Sequence, residues 1–321
     1  MSRRIDLLLC GLFAAATITG AAAAPLPAEL ANIAQLAENE QRLARTVRDY
    51  DLLQQWLCDW DIALAQQHSA AGDEALANGK FENAQHRIAL TRRAYEEALR
   101  YYPNNGRLLT HYGGLLYYRQ FDKAGALRAW KLAEATSPKL AAPLNEMGIH
   151  YCHAGQYGTG LRYFDKLMAL EPNNPVYLFN VAQIYLIHFP QVQKHYGWDK
   201  QKVYRTAMKW SKKAARLAPD DFEILQDYAV NFFAGDINFD VEVNWREAAQ
   251  AWQKARPHAP DQTKRFFTWL NEARAWIKAG EKQRAAACLR NALEIHPDSK
   301  PARRLLAETE GQPEPAKDAT P

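Results

Sequence analysis

The chain has 321 residues, 48% of them hydrophobic and 11% aromatic, enough apolar side chain for one large or two smaller folded domains and too much for a disordered chain. Forty Lys and Arg against 36 Asp and Glu leave a formal charge of +4. That excess is too small and too evenly spread to single out nucleic acid as a partner.

The N-terminus reads as an address rather than as part of the fold. Ser2-Arg3-Arg4 is a positive n-region, Leu7 to Ile18 is apolar, and Gly20-Ala21-Ala22-Ala23-Ala24 supplies small residues. This is the build of a secretory signal peptide, residues 1–23, cleaved after Ala23. The apolar run is shorter than the roughly 20 residues that a spanning helix needs, so no stable membrane insertion is expected after cleavage. Lipidation of Cys10 is the rival reading, but Leu9 stands where a small residue is expected and apolar sequence continues past Cys10. Export implies a periplasmic or secreted protein. Cys58, Cys152 and Cys288 then remain, an odd number with no C-x-x-C or paired zinc spacing. Buried thiols are the expectation, with one bridge left open.

Residues 24–78 are assigned to N-terminal helices. Ala28 to Arg48 carries Leu30, Ile33, Leu36, Leu43 and Val47 on one face, which suits a cap over the following repeats or a helix through which a homo-oligomer associates.

From residue 79 to 299 the chain repeats. Pro103, Pro138, Pro172, Pro219, Pro260 and Pro297 are separated by 35, 34, 47, 41 and 37 residues, and all but Pro138 precede Asn or Asp. Each proline stops a helix, and the neighbouring Asn or Asp offers an oxygen to the free N–H groups of the next one. Between the prolines, apolar residues recur at steps of three and four, as in Leu144, Met147, Gly148 and Tyr151, then Leu161, Phe164 and Leu167. Two amphipathic helices per period follow.

This pattern resembles the tetratricopeptide repeat (TPR) family, a helix-turn-helix unit of 34 residues with large residues at positions 4, 7, 11 and 24, small ones at 8, 20 and 27, and Pro at 32. Residues 141–174 fit best, through Leu144, Met147, Gly148, Tyr151, Gly160, Phe164, Leu167 and Pro172. Units beginning at 107, 175, 222 and 266 repeat the register, and a sixth, degenerate one precedes them at Gly79 to Pro103, its second helix seven residues longer than standard. The resemblance implies an all-α, right-handed α-solenoid of about five to six helix-turn-helix units with N- and C-terminal capping helices. Gly113 and Glu272 stand where a large apolar residue is usual and Ser211 where an aromatic is, so those repeats are expected to be looser. The helix expected over 300–311 is the terminal cap, with Leu305 and Leu306 inward, and residues 312–321 form a disordered tail.

No hydrolase, phosphate-loop, dinucleotide or metalloprotease motif occurs, so no catalytic residue, cofactor or metal is assigned. His150, Cys152 and His153, with His111 one repeat earlier, cannot converge on one metal, because 152 points away from its two neighbours. What remains is surface. In the family, positions 2, 5, 6, 9, 12 and 13 of each first helix line a concave groove where partner segments bind. By that rule the partner-binding residues here include His111, Leu115, Tyr118, Asn145, Ile149, Cys152, Phe179, Asn180, Gln183, Gln226, Asp227, Val230, Phe233, Asn271 and Arg274. Amides hold an extended peptide backbone and aromatics hold its side chains. The repeats ending at Pro219 and Pro260 are 13 and 7 residues too long, and the excess is expected as two loops, His188 to Lys202 and Gly235 to Asn244. Tyr196 and Trp198 in the first loop are read as a second partner-binding patch, against the alternative that the two loops pack on each other. The resemblance thus implies a non-catalytic protein-interaction scaffold or adaptor of the cell envelope, taking a peptide or protein partner, with an accessory docking subunit of an envelope enzyme, secretion or assembly complex as the second reading.

Overall fold

The structure is a computed structural model that describes residues 77–311, together with Asp59, residues 61–63, 65–67, 69–71, 73 and 74. The signal peptide, the Ala28–Arg48 helix, Cys58 and the 312–321 tail lie outside the described residues. Every regular element among the described residues is helical, and the chain divides into two compact units, 1–126 and 127–321.

In the first unit a turn at Gly79 leads into α1 (Phe81–Tyr101), whose 21 residues carry the two extra turns read from the sequence. α2 (Gly106–Tyr118) packs against it. Tyr95 and Ala98 of α1 and Leu108 and Leu115 of α2 close a core with Ile62 and Ala65, and Tyr112 sets its ring edge-on to Tyr95 at 6.3 Å. α3 (Lys123–Thr136) starts in this unit and runs into the next.

The second unit is a series of helical hairpins. α4 (Ala142–His153) pairs with α5 (Tyr157–Leu170), α6 (Pro175–Ile187) with α8 (Lys200–Leu217), α9 (Phe222–Asn238) with α10 (Trp245–Ala255), and α11 (Gln262–Lys278) with α12 (Lys282–Ile295). A 3-10 turn at Arg256–His258 follows α10, and α13 (Lys300–Glu310) lies on α12 with Leu305 and Leu306 packed against the core. Successive hairpins touch through α5 and α6, α8 and α9, and α10 and α11, so each repeat buries its apolar face only against its neighbours.

Small residues set the spacing within a hairpin. A Cβ on Gly148 of α4 would come within 2.7 Å of the Phe164 ring of α5, and one on Gly160 would meet Gly148 O at 2.8 Å. The aromatic expected at position 24 fills the space this leaves: Trp130, Phe164 and Trp252 are all fully buried.

The helix starts differ in detail from the sequence reading. The capping oxygen comes from the second residue after the proline in four cases: Asn105, Asn174, Asp221 and Ser299 accept from Leu108 N, Val176 N, Ile224 N and Ala302 N. Only Asp261 caps from the position next to its proline, accepting from Lys264 N at 2.7 Å. The residue between stays in the turn, because the cap must adopt extended dihedrals just before the helix begins.

The first insert is not a loop. It folds as α7 (Phe189–Tyr196), opened by Pro190 in its first turn and closed by Gly197 in the left-handed region, and it packs on α5 and α8. The second insert begins as helix and continues as irregular chain: α9 runs on to Asn238, and Phe239 is fully buried rather than displayed. The two inserts meet, with Phe239 against Phe189 at 4.8 Å and against Tyr204 at 5.3 Å, and Lys200 ion-pairs with Asp240.

Candidate functional site

α2 supplies the candidates of the first unit. Half-buried His111 has its imidazole held below the ordinary value by burial and by the charge on Arg107. Leu115 belongs to the core, and Tyr118 is exposed, edge-on to Tyr117 at 4.9 Å.

In the second unit the candidates fall on α4, α6, α9 and α11, and hydrogen bonds join many of them. Asn180 Nδ2 donates to Asn145 Oδ1 at 3.0 Å across α6 and α4, and Asn145 Nδ2 donates to Glu146 Oε1 at 3.2 Å. Gln183 Nε2 donates to Asp227 Oδ1, linking α6 to α9. Arg274 Nη1 donates to Asn271 Oδ1 at 2.9 Å within α11. The amides therefore already have partners inside the protein, and they hold neighbouring repeats in register. Asn145 and Asp227 are buried outright, as is Cys152, so these three face the interior rather than a partner. Phe179 packs against a small core of Leu178, Ala214 and Ile224, and Phe233 tilts onto Trp245 at 5.3 Å. Ile149 and Gln226 are half-buried.

Apolar side chains supply the open part of these faces. Val230 is 43% exposed, and three residues at the same family positions that the initial selection omitted are open as well: Val176, Ile187 at 63% and Phe267. Their signal was present in the positional rule, at positions 2 and 13 of the first helices.

Two of the three departures from the repeat pattern, Ser211 and Glu272, are filled by polar side chains. Ser211, where an aromatic is usual, donates through Oγ to Asp227 Oδ2 at 3.1 Å, and Asn231 Nδ2 donates to both, at 2.9 Å to Asp227 and 3.2 Å to Ser211. Glu272 ion-pairs with Arg256 and accepts from Trp276 Nε1 at 3.0 Å, while the Arg256 guanidinium carbon lies over Trp269, 3.2 Å from the ring centroid. Polar networks occupy the volume that an apolar side chain fills in an ordinary repeat.

Tyr196 and Trp198 are correspondingly not an open patch. Their rings stack at 4.7 Å, both lie against Tyr185, and Tyr196 Oη donates to Asp165 Oδ1 at 2.8 Å. Both are half-buried, and the Lys202 ammonium covers Trp198 at 4.6 Å. An aromatic in a short insert is costly to leave in water, and here the hairpin below absorbs it. Cys152 is buried while His153 faces solvent, so the histidine–cysteine cluster does not converge; no group of three or more His, Cys, Asp or Glu among the described residues is placed to hold a metal ion.

No protein-family model matches the chain, and no curated protein sequence does. Solved structures do. PilF of Pseudomonas aeruginosa superposes with a TM-score of 0.52 at 14% identity, over 79% of this chain and 99% of that one. PilW, described as a widely conserved type IV pilus biogenesis factor, gives 0.48 at 16% identity over 76% and 98%. YrrB, described as a TPR protein with an unusual peptide-binding site, gives 0.47 at 16% identity over 65% and 95%. Helical hairpins in sequence, glycine at the close approach and a buried aromatic opposite it agree with the likeness to PilF: the chain has the tetratricopeptide-repeat fold.

Proposed function

We propose that the protein is a non-catalytic scaffold or adaptor of the cell envelope, periplasmic or secreted, which holds an extended peptide segment or a partner protein on the first-helix faces of its second unit. One observation carries this reading: Val176, Ile187, Val230 and Phe267 all stand open to water on first helices of that unit, at positions that line the family's groove. Apolar side chains that recur at groove-lining positions of three successive first helices have a desolvation gain to offer a partner that single scattered ones do not. The amides beside them are held by their neighbours, so Asn145, Asn180, Gln183 and Asn271 fix the surface while Val230 and Gln226 meet the partner. Among the described residues no helix is long and apolar enough to cross a membrane.

The test is the pair of substitutions Ile187→Asp and Val230→Asp, assayed by co-purification from envelope extract and by thermal melting. Both side chains are exposed, so unchanged melting with lost capture is expected. Capture equal to wild type, or turnover of a substrate by the isolated protein, overturns the proposal. A single stoichiometric enzyme among the captured proteins would make the chain an accessory docking subunit, whereas many client chains fit a general scaffold.

A further inference from the structure

The carboxyl of Asp227 is buried where three helices meet, and each helix brings a polar partner to it. Gln183 reaches it from α6, Ser211 from α8 and Asn231 from its own helix α9. None of these partners carries a charge. Glu247, the acid on α10, is already engaged by Lys212 at 2.7 Å and by the hydroxyl of Tyr228, the residue after Asp227, at 2.7 Å. A carboxylate in this position is therefore held by neutral dipoles alone, in a place only 5% exposed.

We propose that Asp227 is a protonation-dependent joint between consecutive repeats, neutral and tight in mildly acidic conditions and charged and weaker above neutral pH. The chemistry of the partners permits both states. With the carboxylate charged, all three partners donate to it. With the carboxyl protonated, its O–H donates to Gln183 Oε1 once that amide turns over, and Ser211 and Asn231 still donate to the other oxygen. The joint stays satisfied in either state, but only the charged state carries the penalty of burying an uncompensated charge.

The electrostatics of the site agree. Burial pushes the Asp227 carboxyl up to about 7, against the smaller downward pull of the Ser211 and Asn231 hydrogen bonds, and no charged side chain contributes. An unfolded Asp titrates near about 3.9. Between these two values the folded chain holds a proton that the unfolded chain has released, so stability falls as pH rises through the window and levels off above about 7. One proton corresponds to a tenfold loss in the folding equilibrium constant per pH unit, on the order of a thousandfold across the window. Asp61 in the first unit is also raised, to about 6, by burial and by Glu97, and contributes a slope of the same sign. His111 and His188 are lowered and contribute the opposite sign.

The experiment separates Asp227 from these others by difference. In the full chain, the side-chain carboxyl carbon of Asp227 is followed by NMR from pH 4 to pH 9, with a midpoint near 7 expected. Ser211→Ala removes one donor and should move that midpoint upward. Asp227→Asn should remove this slope, so that its stability relative to wild type rises between about pH 4 and pH 7 and stays constant above that window. A midpoint near 4, or a wild-type slope that survives unchanged in Asp227→Asn, overturns the proposal. The wild-type titration decides the matter even where Asp227→Asn fails to fold.

Discussion

At the scale of single residues, close approach is what the sequence encodes most sharply. Gly148 lies against the Phe164 ring with no room for a Cβ, and Phe164 is itself fully buried. Gly148→Leu is therefore expected to overpack the α4–α5 hairpin and cost about 1–3 kcal/mol, read as a lower melting temperature; an unchanged one would mean the register is wrong. The Tyr196 and Trp198 rings behave as packing residues too. Replacing both by Ala removes a stack, contacts to Tyr185 and the hydrogen bond to Asp165, and a loss of about 2–3 kcal/mol is expected in a chemical denaturation curve. Arg256→Met should cost more, about 3–5 kcal/mol, because it leaves the Glu272 charge buried without its partner. The double variant with Glu272→Met should recover most of that loss, and a double-mutant cycle measures the coupling directly.

Element by element, the helices were legible because their determinants are local. Proline, a capping oxygen within two residues and an apolar stripe at steps of three and four are all short-range signals, and α4, α5, α11, α12 and α13 carry them. Asp221 shows how much such a signal is worth: its side chain accepts from Ile224 N at the head of α9, and Asp221→Ala should cost about 1 kcal/mol in thermal melting. The inserts were less legible. An excess of 13 residues says that something extra is present, yet whether it coils or folds as α7 depends on the surface beneath it, here α8 and, from the preceding hairpin, α5. The polar networks share that origin. Ser211 marked an unusual repeat, but its partners Asp227 and Asn231 come from α9, with Gln183 of α6 joined through Asp227, and only their meeting explains why a serine belongs there. The same holds for the candidate face: positional rules name residues on α2, α4, α6, α9 and α11, and only burial and hydrogen bonds show which of those side chains are turned inward.

For the whole molecule, the cysteines offer a global probe. Cys152 and Cys288 are free and buried, and burial pushes their thiols up to about 12 and about 11, so neither ionises appreciably near neutral pH. Peptide mapping after treatment with a thiol reagent should find both unmodified in the native chain and modified as soon as denaturant opens it; rapid labelling of either at pH 7 without denaturant would contradict the burial. Repeat proteins are commonly treated as interchangeable modules, since each hairpin meets only its neighbours. The meeting of Phe189 with Phe239 and of Lys200 with Asp240 sets a boundary on that exchange. The hairpins built on α6 and α9 share the filling of one seam, so neither can be cut out, duplicated or transplanted without baring the other's aromatic ring. Inheritance and engineering alike must move them as a single cassette of two repeats.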